Sequence, residues 1–145
     1  MLHPSIIEAA VPGAMAEPHP ELLQAIFRHA TTPMVVIDTG GRIRHVNHAF
    51  EACSGYSAAE LDGAPSSLML TQLHSGRFCR HVVRQLRRRQ CWQGEVWSRR
   101  RSGELVREWL NVTVLSNPCG DVTHYLGAYG QVPHHRPTGT PDMGV

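Results

Sequence analysis

Between Trp92 and Gly127 the chain reads WQGEVWSRRRSGE, then LVREWLNVTVL, then GDVTHYLG. These are segments rich in β-branched and aromatic residues, separated by the turn signals SGE (Ser102 to Glu104) and NPCGD (Asn117 to Asp121). Such a pattern folds as a three-stranded antiparallel meander. A sheet of this kind has one apolar face that must be kept from water. The residues before Trp92 offer short helices and one further strand pair to cover it. A small sheet cupped by helices encloses a pocket rather than a catalytic cleft, which points to a sensory or binding module and away from an enzyme.

The remaining segments divide into a mobile leader over 1–19, one folded domain over 20–132 and a tail over 133–145 that holds several prolines and no periodicity. Pro20 suits the first turn of a helix, and Leu22, Leu23, Ile26, Phe27 and Ala30 follow at helical spacing. MVVID (Met34 to Asp38), the turn TGG and RIRHV (Arg42 to Val46) read as a hairpin. Asn47 is placed to cap a short helix that Gly55 stops, and Ser57 to cap another that Gly63 ends. The longest helix is expected from Ser75 to Gln90, with Phe78, Val82, Val83 and Leu86 as its apolar stripe. Arg77, Arg80, Arg84, Arg87 and Arg88 lie largely on its other side.

Composition closes off several classes. Apolar residues make up 41% and charged residues 18%, which is the balance of a globular chain. The formal charge of +2 is too small to argue for nucleic acid. Every basic residue is Arg, a bias that fits a GC-rich coding sequence. Cys53, Cys79, Cys91 and Cys119 show no C-x-x-C spacing, so neither a zinc site nor a redox pair is signalled. With no signal peptide in view, a cytoplasmic location with reduced thiols is expected. The apolar patch Ile6 to Val11 is broken by Glu8 and is too short to span a bilayer, so no membrane attachment is expected.

Alternation along Leu105 to Leu115 puts Val106, Glu108, Leu110, Val112 and Val114 on one face. Glu108 is the anomaly, because a carboxylate among aliphatics is costly unless it is paired or meets a ligand donor. An Arg partner at the pocket mouth and a ligand contact both satisfy it. Cys53 and Cys79 fall on apolar helical faces, as small packed side chains do. The arginine face suits an acidic partner or nucleic acid, but no aromatic residues interleave with it, and a solvated helix face explains it. His134 and His135 have no nearby partner at ligand spacing. No Ser–His–Asp order, phosphate loop, zinc signature or paired-carboxylate motif is present, so no catalytic residue is assigned.

Taken in order and spacing, PMVVID, GRIRHVNHAF, SGYSAAELDG, WQGEVWSRRRSGE, EWLNVTV and GDVTHYLG resemble a PAS domain over about residues 21 to 132. The Trp-x-Gly followed by a basic run and Gly is most similar to PAS domains of flavin-dependent redox and aerotaxis sensors, and to those of cyclic-di-GMP signalling proteins. The resemblance implies an α+β domain, a single PAS fold with a five-stranded antiparallel sheet and helices flanking a ligand cup. It further implies a bacterial sensory module that binds a small ligand or cofactor, or dimerises, to relay a signal to a separate effector protein. A ligand-free interaction adaptor is the alternative, and a nucleic-acid-binding regulator acting through the arginine helix ranks behind both.

Carried over residue by residue, the resemblance makes Trp92 the neighbour of a flavin ring. Ser98 and Glu108 stand where flavin-binding light sensors carry ring-contacting Asn residues. Asn47, Leu110 and Val112 complete the candidate cup, with Asn47 also explained by capping. The reactive Cys of light-sensing members is replaced at Ser66, which removes covalent flavin photochemistry. FAD is therefore the cofactor the resemblance admits first. Haem comes second, with His74 near the start of the long helix and His81 a turn later as candidate ligands, a coincidence that ten histidines make cheap. The Asp-Ile-Thr-like ending of effector-coupled members is replaced by Gln131, Val132 and Pro133, and output is expected to pass through a separate protein or through assembly. The helix over 21–30 is the expected homodimer surface, with one side capping the sheet and the other meeting a second copy.

Overall fold

The computed structural model describes residues 17–69 and 76–133. Apart from residues 17–19 and 133, the expected leader and tail lie outside this range, as does His74. The described elements are α1 (Pro20–His29), β1 (Met34–Asp38), β2 (Ile43–Val46), α2 (His48–Ser54), α3 (Ala58–Leu61), a 3-10 turn (Ser66–Leu68), α4 (Gly76–Arg89), β3 (Cys91–Arg99), β4 (Leu105–Ser116) and β5 (Val122–Gly130). The strands form one five-stranded sheet in the order β2-β1-β5-β4-β3, with every neighbouring pair antiparallel. This is the expected α+β architecture. The short 3-10 turn was not anticipated.

The β4–β5 and β1–β2 turns form where their residues demand. In the β4–β5 turn, Asn117 Oδ1 accepts from the backbone N–H groups of Cys119 at 3.0 Å and Asp121 at 2.9 Å, and Gly120 takes a left-handed φ of 89°. In β1–β2, Asp38 Oδ1 accepts from the N–H groups of Gly40 and Arg42, both at 2.9 Å, and its Oδ2 accepts from Arg44 Nε at 2.7 Å. The Arg42 N–H, and then Arg44, hold the Asp38 carboxyl below the ordinary carboxylate range.

The register puts alternate residues toward the helices. Val35 and Ile37 of β1, Val96 of β3, Leu110 and Val112 of β4, and Tyr125, Gly127 and Tyr129 of β5 share that face. Its buried part, with Ile43, Phe50, Leu61, Met69 and Phe78, makes the core. Gly127 in the central strand is needed for close approach: a Cβ there would sit 3.0 Å from Val35 Cγ1 and 3.5 Å from Leu110 Cδ1.

Asn47 joins three elements through one fully buried amide. Its Oδ1 caps α2 by accepting from Phe50 N at 3.0 Å and also accepts from Met34 N at 3.0 Å, while its Nδ2 donates to Thr32 O at 2.8 Å. The carbonyl of Ala30 lies 3.4 Å from the same Nδ2. The end of α1 is thereby tied to the start of α2, and His29 meets His48 edge to face with centroids 5.3 Å apart.

This tether corrects one expectation. No residue of α1 is buried, and the helix packs on α2 rather than capping the sheet. Leu22, Leu23 and Ile26 are 51%, 51% and 58% exposed while Phe27 is half-buried, so most of the stripe faces outward. Replacing Asn47 with Ala leaves two N–H donors and the Thr32 carbonyl without their partner. The expected loss is about 2–4 kcal/mol of stability, read as a lower urea midpoint at unchanged slope.

Candidate functional site

α4 packs on β3 and β4, but of its residues only Phe78 is buried. Val82 and Leu86 are half-buried, and Val83 is 47% exposed. Between this helix and the sheet lies a cavity of about 510 Å³. That falls within the range of small-molecule sites, about 300–1,000 Å³. Val82, Val83 and Leu86 supply its roof, and Trp92, Leu110, Val112 and Tyr125 its floor.

Trp92 reaches the cavity because of its neighbour Gly94. A Cβ on Gly94 would meet the Trp92 ring at 2.7 Å, so the indole lies back along its own strand over the bare glycine. There it meets Phe78 edge to face, with centroids 5.6 Å apart. The Trp-x-Gly motif is thus a packing device that turns an aromatic face along the cavity floor.

A second, separate recess of about 20 Å³ opens on the far side of Met69 and Tyr129, which line both spaces. It is the size for roughly one water molecule. Cys53, Ser98, Arg100 and Glu108 lie around it. Glu108 accepts from the Cys53 thiol at 3.5 Å, and no ion pair links it to an arginine among the described residues. The expected arginine partner is therefore corrected: the charged neighbour Arg100 acts on Cys53 at longer range. Burial, and then Glu108, raise the Cys53 thiol above the usual range. Burial, followed by Glu108 and Cys53, pushes the Tyr129 hydroxyl well above the usual phenol range. Ser98 Oγ and Arg100 Nε are buried with no hydrogen-bond partner among the described residues.

The sequence-derived candidates therefore separate into groups. Trp92, Leu110 and Val112 line the large cavity; Ser98 and Glu108 line the small recess; Asn47 lines neither and is fully engaged with backbone. His81 is exposed on α4 and borders a surface groove with Gln85, Arg89 and Cys91, so it does not bring an imidazole to the cavity. Ser66, standing for the photochemical cysteine, does line the cavity. Cys79 is exposed rather than packed, and Cys53 is a hydrogen-bond donor rather than a simple apolar filler. Among the described residues no group of three His, Cys, Asp or Glu is arranged to hold a metal ion. Sequence reasoning missed Met69, Tyr129 and Arg87 as cavity residues, because their role depends on how α4 and the 3-10 turn lie over the sheet.

Flavin can be tested against these positions. The cavity accommodates an apolar ring beside Trp92. The polar side chains that would pair with the ring's hydrogen-bonding edge stand behind Met69 and Tyr129 instead. Among the described residues, the large cavity therefore holds neither Ser98 nor Glu108 against such an edge. A Gly94→Ala substitution forces the Trp92 ring off its seat. The expected cost is about 1–3 kcal/mol, with a changed tryptophan emission maximum relative to the parent protein; an unchanged spectrum and stability would contradict the seating of the ring.

Comparison with known proteins agrees with the fold. Residues 21–129 match the PAS fold family. The chain is 28% identical over 126 residues to a nitrogen fixation regulatory protein of Klebsiella oxytoca, covering 87% of this chain and 26% of that protein. It therefore spans about a quarter of that relative's length. The PAS domain of a protein from Colwellia psychrerythraea superposes with a TM-score of 0.72 at 18% identity, covering 77% of this chain and 95% of that one. A Light-Oxygen-Voltage domain superposes with a TM-score of 0.65 at 20% identity, covering 79% of this chain and 86% of that one. With the antiparallel sheet, the cup beneath α4 and the family match over most of its length, the chain belongs to the PAS family.

Proposed function

We propose that this PAS domain is a non-enzymatic sensory module that takes a small, largely apolar ligand beneath α4 and passes the change to a separate signalling protein. The observation that carries this reading is the apolar cavity, whose roof leaves Val82, Val83 and Leu86 incompletely buried. Fully burying a side chain of this size is worth about 1.5–3 kcal/mol. A ligand in the cavity would recover part of that and draw α4 toward the sheet. The similarity to a nitrogen fixation regulatory protein supports a regulatory setting. A flavin is the cofactor that the likeness to Light-Oxygen-Voltage domains brings forward, and it would require Met69 and Tyr129 to move aside.

The neutral fluorescent probe N-phenyl-1-naphthylamine tests the cavity. Saturable binding with enhanced emission is expected, weakened at least about fivefold by Val112→Trp, which fills the floor. Absence of saturable binding would leave the ligand-free adaptor reading in its place. Displacement of the bound probe by FAD would restore flavin as the ligand.

The adaptor reading has an observation of its own, the outward-facing Leu22, Leu23 and Ile26 of α1. Exposed aliphatics at helical spacing suit a second copy of the chain, and assembly through α1 is compatible with ligand binding under α4. Ile26→Glu is expected to shift the protein to a monomer in light scattering, and a dimer of unchanged mass would exclude α1 as the contact. No helix among the described residues is long and apolar enough to cross a membrane. A nucleic-acid role for the arginine helix ranks last, since no aromatic side chains accompany the arginines.

A further inference from the structure

The cavity beneath α4 has an unbalanced charge at its rim. Among the described side chains that line it, only Asp38 and Arg87 carry formal charge. Asp38 is already engaged by Arg44 at 2.7 Å and by two backbone N–H groups. The Arg87 guanidinium has neither an ion pair nor a hydrogen bond among the described residues. Helix α4 contains no Asp or Glu to answer it. Arg87, Arg88 and Arg89 all sit in the last turn, where positive charge suits the helix dipole. Of these three, Arg87 alone also borders the cavity.

The remaining polar side chains among the described lining carry no formal charge: Thr39, Ser66, Cys79, Gln90, the Trp92 indole and the Tyr125 and Tyr129 hydroxyls. An aliphatic body finds Val82, Leu86 and Val112 there. One planar guanidinium matches a carboxylate by two parallel hydrogen bonds. A doubly charged phosphate would call for a second cation, and among the described residues no other arginine lines the cavity.

We propose that the cavity selects an amphipathic monocarboxylate, with its aliphatic chain between α4 and the sheet and its carboxylate held at the rim by Arg87. This deepens the ligand-binding reading above and rests on it. Arg87 is exposed, so its contribution is partly screened by solvent and salt.

Isothermal titration of the full chain with dodecanoate, dodecan-1-ol and dodecyltrimethylammonium, each below its micelle concentration, tests the proposal. Dodecanoate is expected to bind about three- to tenfold more tightly than the alcohol, and the cation more weakly than either. Arg87→Ala and Arg87→Gln should each abolish the preference for the carboxylate while leaving alcohol binding unchanged. Arg88→Ala, one position along the same turn, should retain the preference, which separates rim recognition from adsorption to the basic helix. Raising salt from about 0.05 M to about 0.5 M should narrow the preference.

Equal binding of acid and alcohol by the parent protein, or a preference that survives both Arg87 substitutions, overturns the carboxylate assignment and leaves the cavity reading standing. Failure of all three probes while the naphthylamine probe binds has the same meaning. Failure of every probe, the naphthylamine included, overturns the cavity reading as well.

Discussion

β4 runs for twelve residues, about 40 Å of strand, whereas the fourteen residues of α4 span about 21 Å. The helix is the main cover over the β3–β4 half of the sheet, and it cannot reach along the whole of it. Phe78 closes the contact near the start of the helix, and the later apolar residues stand over open space. The aliphatic face that stabilises the sheet is therefore also the floor of a cavity. Filling that cavity with protein side chains would remove the space on which the proposed ligand reading rests.

On the other half of the domain the packing is tight, and single residues decide it. Asn47 satisfies backbone groups from three segments at once, which orders α1, β1 and α2 as a unit. α3 is joined to the sheet edge by backbone bonds between Ile43 and the Gly63–Ala64 pair, both at 2.8 Å. These bonds occupy the open side of β2, where an unpaired strand edge would otherwise be exposed. The domain thus combines a rigid half built on hydrogen bonds with a looser half in which a helix rests on apolar surface.

The architecture was legible because its signals are local. Turn residues such as Asn117 and Gly120, the caps at Asn47 and Ser57, and the alternation along β4 each act within a few positions, and the structure uses all of them. The site was legible only in part. Alternation correctly put Glu108 with Leu110 and Val112 on the inner face, but it could not say that Met69 and Tyr129 would divide that face into two compartments. That division depends on side-chain volumes meeting from the 3-10 turn and β5, segments distant in sequence. The stripe on α1 was read correctly as apolar and wrongly as a cap on the sheet, since periodicity reports a face and not its neighbour. Arg87 looked like one of several solvated arginines until the placement of α4 set it at the cavity rim.

The bond from Cys53 to Glu108 bears on the chemical durability of the domain. Thiols are attacked by oxidants and alkylating agents as thiolates, and only where reagent can reach them. Cys53 is partly enclosed, donates its proton to a carboxylate and is held in the neutral form by burial and by that same negative neighbour. Cys79, Cys91 and Cys119 are exposed. Oxidative damage would therefore accumulate at the exposed helix, strand and turn positions while the interior thiol outlasts it, and mass-spectrometric labelling would date exposure of the recess by the moment Cys53 begins to react.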